Sequence, residues 1–311
     1  MEDVIRVKHL SKKYGDIIAV KDLSFTVRKG DVYGFLGQNG SGKSTTIRMI
    51  LDLVRPSSGH VEIFGLSVQK DRRRIMKQVG AIIERPDLYL YLTGKENLQL
   101  FARMSGVKLT DHQINHYLEL VGLAERGKSK VSTYSLGMKQ RLGIAVALIH
   151  DPGLLILDEP TNGLDPQGIA DVRKLIKQLS REEQKTILVS SHLLSEVEQI
   201  ASRMLIIDKG VAVAEGSVDE LLDPKDTGLL IHTTRDEETY QILLSSSYAG
   251  ALKSKSDKGI FLRLDSVQIP KLNRFLVEQQ VDVLSLESRQ QLEHTFLKIT
   301  SPDIYVDNLS A

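Results

Sequence analysis

The spacing of apolar positions changes period several times along the chain. Residues 4–10 and 19–27 alternate apolar with polar, separated by turn material at Lys13-Tyr14-Gly15-Asp16. Alternation of this kind predicts two strands, each with one buried face. Val32-Tyr33-Gly34-Phe35-Leu36 is an unbroken apolar run, the pattern of a strand covered on both faces, and from Thr46 to Leu51 the apolar residues fall at helical spacing. Beyond the turn Arg55-Pro56-Ser57-Ser58-Gly59, strands are predicted over 60–64 and 79–83 and a helix over 68–78. From about 93 to 149 the period is helical, with helices predicted over 95–104, 111–121 and 135–149, and short apolar strands return at 154–157 and 186–190. Strands joined by crossover helices predict a parallel sheet, which places ligands at the carboxyl ends of its strands. Lys43, Glu84, Asp158 and His192 all follow strand ends.

The pattern changes again near Leu221-Leu222-Asp223-Pro224-Lys225-Asp226. Strand (229–233), helix (237–245), strands (251–254 and 260–264), helix (267–279) and strand (281–286) follow, with a last helix from about 290 to 299. A β-α-β-β-α-β order suggests a small ferredoxin-like domain. The expected organisation is therefore a domain over residues 1–223, with a helical subdomain at about 93–150, and an accessory α+β domain over 224–311. The accessory part carries no motif to which chemistry attaches, and its His232 and His294 read as surface residues.

Between the buried strand and the helix lies Gly37-Gln38-Asn39-Gly40-Ser41-Gly42-Lys43-Ser44-Thr45. Strand, Gly-rich loop and helix are the context that the P-loop pattern G-x-x-x-x-G-K-[ST] requires. Glycines let backbone N–H groups close around a polyphosphate, and the helix N-terminus adds partial positive charge. Lys43 reaches the terminal phosphates and the Ser44 hydroxyl binds Mg²⁺. A nucleoside triphosphate is the expected ligand. The Asp158-Glu159 pair at the end of an apolar strand supplies the usual complement, an acid for Mg²⁺ and a second carboxylate to act on water. Tyr14 either stacks on a purine ring, a contact worth roughly 1–3 kcal/mol in single-strand nucleic-acid binders, or packs over its own hairpin.

Composition limits the setting. Hydrophobic residues make up 41% and charged residues 26%, ordinary for a water-soluble globular protein, and the formal net charge is +1. No global field draws such a chain to nucleic acid or to an acidic membrane. Lys70, Arg72, Arg73, Arg74 and Lys77 cluster on one predicted helix without interleaved aromatics and read as a solvated face. The chain has no cysteine, which excludes disulfides, thiolate metal sites and cysteine nucleophiles. The N-terminal residues do not form a signal peptide, so the cytoplasm is the expected compartment. The most apolar region, 142–157, is interrupted by His150-Asp151-Pro152-Gly153 and is too broken to span a bilayer, so any membrane role is expected to come through a partner.

With Thr133-Tyr134-Ser135-Leu136-Gly137-Met138-Lys139-Gln140-Arg141-Leu142 between P-loop and acidic pair, the sequence resembles the nucleotide-binding domain of ABC transporters from residue 2 to about 223. The resemblance implies an ABC-type P-loop NTPase core with an antiparallel β subdomain and a helical subdomain. It implies that Tyr14 stacks on adenine, residues 37–45 form the Walker A loop and Asp158 is the magnesium acid. By the same resemblance Glu159 is the catalytic base, His192 contacts the γ-phosphate, and Asn162-Gly163-Leu164-Asp165 is the D-loop. Ser135 and Gly137 would bind the nucleotide of a second copy, so ATP would be sandwiched in a dimer. A separate membrane permease would turn closing and opening into transport, docking near residues 85–93. The exposed aliphatic and aromatic side chains of Pro86-Asp87-Leu88-Tyr89-Leu90-Tyr91-Leu92 suit a docking helix, although an ordinary core loop gives the same pattern. The expected location is thus peripheral, on the inner face of the membrane.

Two departures stand out. The signature loop reads Tyr-Ser-Leu-Gly-Met where the commoner wording is Leu-Ser-Gly-Gly-Gln, and Glu84 stands where a Q-loop glutamine is usual. Glu84 at that position, a candidate ligand for Mg²⁺ or its water, is similar to the branch that exports or resists bacitracin and lantibiotics, as are the signature wording and the extra domain. The alternative class is an ABC ATPase with a regulatory, nucleic-acid or ribosome-linked role and no transport. Against it, the interval from Lys43 to Asp158 holds no sustained heptads and the chain has a single such domain.

Overall fold

The computed structural model describes residues 2–221, 227–256 and 259–290. The chain divides after Val218 into two compact units. The first opens with a hairpin, β1 (Asp3–Tyr14) and β2 (Ile17–Arg28), then β3 (Val32–Leu36), α1 (Lys43–Ile50), β4 (Ser58–Ile63) and β5 (Leu66–Ser67). It continues through α2 (Val68–Met76), β6 (Val79–Ile82), α3 (Gly94–Met104), α4 (Asp111–Leu120), α5 (Leu136–Leu148) and β7 (Leu154–Leu157). The remaining elements are α6 (Pro166–Arg181), β8 (Thr186–Ser191), α7 (Leu194–Ile200), β9 (Arg203–Asp208) and β10 (Val211–Ser217).

Five of these strands run parallel in the order β9-β3-β8-β7-β6, and β10 pairs antiparallel along β9. Strands β3, β7 and β8 are buried along their whole length, which is why β3, β7 and the Ile187–Val189 centre of β8 carry continuous rather than alternating apolar residues. The alternate side chains of each strand enter two separate cores. Phe35, Ile156 and Leu188 pack with Ile47 and Ile50 of α1 and with Ile5, Leu10 and Leu23 of the hairpin. Leu155, Leu157, Ile187 and Val189 pack on the opposite face with Leu98, Ile114, Leu142 and Ile176 of the helices. The hairpin itself belongs to a second, antiparallel sheet ordered β2-β1-β4-β5.

Helices of the α3–α5 layer begin where their side chains cap them. Thr93 with Glu96, and Thr110 with Gln113, form reciprocal capping boxes on α3 and α4. Such caps are worth about 1 kcal/mol each. Asn97, fully buried on α3, donates to the carbonyls of Tyr89 and Thr93 and accepts the Tyr89 N–H at 2.9 Å. It thereby fixes the loop that precedes the helix. On that loop Tyr91 and Leu90 remain exposed, while Leu88 packs against the helical core.

Strand β1 runs four residues beyond the end that alternation predicts, so Tyr14 closes a strand and the turn is Gly15-Asp16 alone. Ser11, Lys12 and Lys13 lie on a solvated stretch with register shifts against β2, where nothing forces apolar residues to alternate. Four elements between 166 and 217 were not predicted, although Asp165 followed by Pro166 is a helix-start signal: Asp165 caps α6 by accepting the Gly168 N–H at 3.0 Å.

A short helix, α8 (Val218–Leu221), straddles the division, and the second unit continues with β11 (Thr227–Thr233), α9 (Asp236–Leu244), β12 (Leu252–Ser256), β13 (Gly259–Leu264), α10 (Ile269–Glu278) and β14 (Val283–Gln290). Its sheet is antiparallel throughout, ordered β12-β13-β11-β14, as the ferredoxin-like arrangement requires. Leu229, Ile231, Ile260 and Leu262 face Leu243, Leu272 and Leu276 of the two helices. β14 continues to Gln290, past the predicted end at 286; the rest of the helix predicted over 290–299, and His294 with it, lies outside the described residues. Among the described residues no helix is long and apolar enough to cross a membrane.

Candidate nucleotide site

The loop from β3 to α1 is shaped by close backbone approach. Gly42 sits at φ 106°, and a Cβ there would lie 2.6 Å from the Ala19 carbonyl oxygen. At Gly37 a Cβ would come within 2.4 Å of both the Ile207 carbonyl and Ser41 Oγ. Unlike α3, α4 and α6, helix α1 has no side-chain cap and no acidic residue in its first turn. Its first N–H groups and its positive dipole end are thus left for an anion. Lys43 is buried, its ammonium donating to the carbonyls of Gly37 at 2.6 Å and Gln38 at 3.1 Å. Ser41 Oγ is buried beside it without a hydrogen-bond partner.

The ends of β7 and β8 complete the cluster. Lys43 Nζ stands 3.1 Å from Glu159 Oε1, and His192 Nδ1 stands 2.8 Å from Glu159 Oε2. The fold therefore brings together the three residues proposed from sequence for the reaction, drawn from three segments of the chain. Glu159 holds a left-handed backbone conformation, φ 48°, and its N–H is received by Ser190 Oγ at 2.8 Å. The same hydroxyl donates to Asp158 Oδ1 at 2.6 Å. Asp158 is only 1% exposed, and its Oδ2 has no partner. A buried carboxylate oxygen without a donor is costly, and a hard divalent cation with oxygen ligands satisfies it. The donor set of Asp158 and the Ser44 hydroxyl fits such an ion.

The other sequence candidates fall elsewhere. Glu84, also in a left-handed conformation at φ 63°, is exposed and engages Arg48 of α1. The described contacts thus give its carboxylate to a guanidinium and do not place it in the cluster. Tyr14 is 47% exposed, with Lys12 Nζ 4.7 Å from the centre of its ring. Ser135 is exposed at the start of α5, where its hydroxyl accepts the Met138 N–H at 3.2 Å. Gly137 is buried, and a Cβ on it would make an ordinary contact with Gly168 Cα at 3.4 Å.

A family model described as ABC transporter matches residues 20–162. The bacitracin transport ATP-binding protein BcrA of Bacillus licheniformis is 42% identical over 301 residues, covering 96% of this chain and 98% of its own. The chain belongs to the ABC transporter ATP-binding family. An uncharacterized ABC transporter ATP-binding protein of Bacillus subtilis (strain 168), YhcH, is 44% identical over 303 residues, covering 96% of this chain and 97% of its own. Among solved structures, that of an ATP-binding subunit of an ABC transporter aligns with a TM-score of 0.62 and 32% identity, over 70% of this chain and 91% of that one. As an ABC subunit the chain is an ATPase, with the cluster at the ends of β7 and β8 beside its P-loop.

Sequence reasoning missed the residues that hold this ABC cluster in place. Ser190 and Ser191 end a strand whose other positions are a threonine and three aliphatics, all of them buried. Hydroxyls at the buried end of such a strand were the available signal. Glu196 and Thr161 gave none, because their contact joins segments 35 residues apart.

Proposed function

We propose that two copies of this chain close around ATP, with the nucleotide held between the P-loop of one and the signature loop of the other. In this reading the cycle powers a separate membrane permease that exports a peptide antibiotic or another hydrophobic compound, and the chain lies on the inner face of the membrane through that permease. The observation that carries the sandwich is the start of α5. Ser135 is exposed there, Gly137 leaves no side chain in the way, and the first turn has no acidic residue to neutralise the helix dipole. An outward-turned helix end of this kind suits a phosphate, with Ser135 taking up one of its N–H groups until the nucleotide arrives. The export reading is supported by identity with the bacitracin transport protein that extends over both units of the chain.

The chemistry follows from the cluster. The N–H groups at the start of α1, the Ser41 hydroxyl and the Lys43 ammonium bind the β- and γ-phosphates. Tyr14 offers its ring to the adenine. Glu159 accepts the proton of the attacking water, and His192 orients that carboxylate and reaches toward the γ-phosphate. Mg²⁺, held by Ser44 and Asp158, would neutralise charge on the phosphates. Glu84 pairs with Arg48 at an exposed position, and this assignment does not use it.

The decisive experiment expresses an affinity-tagged full chain in cells lacking the native copy and follows both membrane association and tolerance to peptide antibiotics. The wild type should co-purify with a multi-span membrane protein and restore tolerance, whereas Glu159→Gln should co-purify without restoring it. Co-purification with ribosomes or nucleic acid, and none with membrane proteins, would overturn the transport reading in favour of an ABC ATPase without transport.

A further inference from the structure

Beside Glu159 and His192 a cavity of about 180 Å³ contains a second carboxylate, Glu196. It lies in the first turn of α7 and is 8% exposed. Among the described residues no lysine, arginine or histidine pairs with it. Its Oε2 instead accepts two hydroxyl hydrogen bonds, from Thr161 Oγ1 at 2.6 Å and from Ser191 Oγ at 2.9 Å. Ser191 Oγ is itself oriented, because it receives the Leu193 N–H at 3.0 Å. Thr161 and Ser191 are buried as well.

The positions of these two hydroxyls matter. Thr161 lies two residues beyond Glu159, and Ser191 immediately precedes His192. A single carboxylate oxygen therefore ties together the segments that carry the two partners of the Glu159–His192 contact. Ser190 holds the other side by bonding both the Glu159 N–H and Asp158. Packing alone does not call for a carboxylate here, since burying one against two neutral donors with no cation costs folding stability. What the side chain supplies is a shared acceptor. One oxygen takes both hydroxyls, and the two hydrogen bonds fix the hydroxyl torsions and with them the backbone of both segments.

We propose that Glu196 is a positioning residue for ATP hydrolysis: through Thr161 and Ser191 it sets the distance and orientation of Glu159 relative to His192. The proposal rests on Glu159 being the base. Glu196 touches neither nucleotide nor water in this assignment and acts only through its two hydroxyl partners. Because Thr161 also leads into the turn Asn162-Gly163-Leu164-Asp165, the same bond carries the alignment of the base to the loop that faces the second copy.

The test compares steady-state ATP hydrolysis and fluorescent-nucleotide affinity of the purified full chain with its Glu196→Ala, Glu196→Gln, Thr161→Val and Glu159→Gln variants and with the Glu196→Ala, Thr161→Val double variant. Small displacements of a catalytic group cost up to about a hundredfold in rate, so Glu196→Ala should lower kcat by roughly ten- to a hundredfold with nucleotide affinity unchanged. In Glu196→Gln the amide oxygen accepts the same two hydroxyls, and most of kcat should return. Thr161→Val should show a smaller loss that adds nothing to Glu196→Ala, as expected of residues sharing one network. Wild-type kcat in Glu196→Ala overturns the proposal. So does a loss of affinity and melting temperature in parallel with kcat, or a Glu196→Gln variant no faster than Glu196→Ala. If Glu196→Ala does not fold, Thr161→Val, which keeps the side-chain shape, decides the matter: unchanged kcat overturns the proposal. The Glu159→Gln arm separates the two claims. An active Glu159→Gln removes the base assignment, whereas an inactive Glu159→Gln beside a fully active Glu196→Ala removes only the role of Glu196.

Discussion

The two units handle buried polar groups in opposite ways. In the second, the described core is aliphatic and its buried hydroxyls, Thr233 and Thr239, satisfy each other and nearby groups, including Asp236 and the Arg235 carbonyl. In the first, Ser41, Lys43, Asp158, Thr161, Ser190, Ser191 and Glu196 are all buried around one end of the parallel sheet. Among the described residues every buried side-chain polar atom without a partner lies in the first unit, Ser41 Oγ and Asp158 Oδ2 at the phosphate site among them. A fold optimised for stability alone would satisfy or remove such atoms. The first unit leaves Ser41 Oγ and Asp158 Oδ2 where a polyphosphate and its cation would complete their shells, whereas the described residues of the second leave no such atom.

That contrast can be broken or sharpened by mutation. The largest effect should come from Glu159→Gln, which keeps shape and loses the base: turnover should fall by about 10²–10⁴-fold, with an ATP-bound dimer visible by light scattering after size exclusion. Next is Leu272→Ala, in the core of the second unit, which should cost about 2–5 kcal/mol of that unit's stability and leave nucleotide affinity unchanged. Calorimetry and nucleotide titration of the same sample check both halves. The smallest effect should be that of Asp158→Asn on the nucleotide-free chain. Relieving a buried, half-satisfied carboxylate should raise the melting temperature by about 2–4 °C, while the further rise produced by MgATP in the wild type should be lost. A lower melting temperature in Asp158→Asn would mean that its charge is compensated in the free protein and that the contrast between units is overstated.

How much of this was legible in the sequence depended on the range of each interaction. The P-loop and its flanking strand and helix form one contiguous stretch, so motif and context could be seen together. Both faces of β3, β7 and β8 are covered, and their apolar runs said so directly. The ferredoxin-like order was legible because each of its elements packs one face only and keeps its own period. Strand β1 beyond Leu10 was hidden because its solvated residues have no reason to alternate. Glu84 was assigned by position in the chain, yet its carboxylate meets Arg48, a partner 36 residues away in the sequence. Glu196 was hidden for the same reason. Its link to Thr161 exists because β7 and β8 lie side by side in the sheet.

The central claim is that each ATP is held by two copies of the chain, and nucleotide titration of Ser135→Arg tests it most directly. Ser135 is exposed at the start of α5, so an arginine there removes one helix cap, worth about 1 kcal/mol, and otherwise obstructs what approaches from outside. A single Ser135→Arg chain should therefore bind ATP with wild-type affinity while forming no ATP-dependent dimer and hydrolysing none. Lys43→Ala, which removes the ammonium at the phosphate loop, sets the reference for true loss of binding, roughly ten- to a hundredfold. If Ser135→Arg weakens binding to a single chain as strongly as Lys43→Ala does, the site is built within one copy and the sandwich is contradicted.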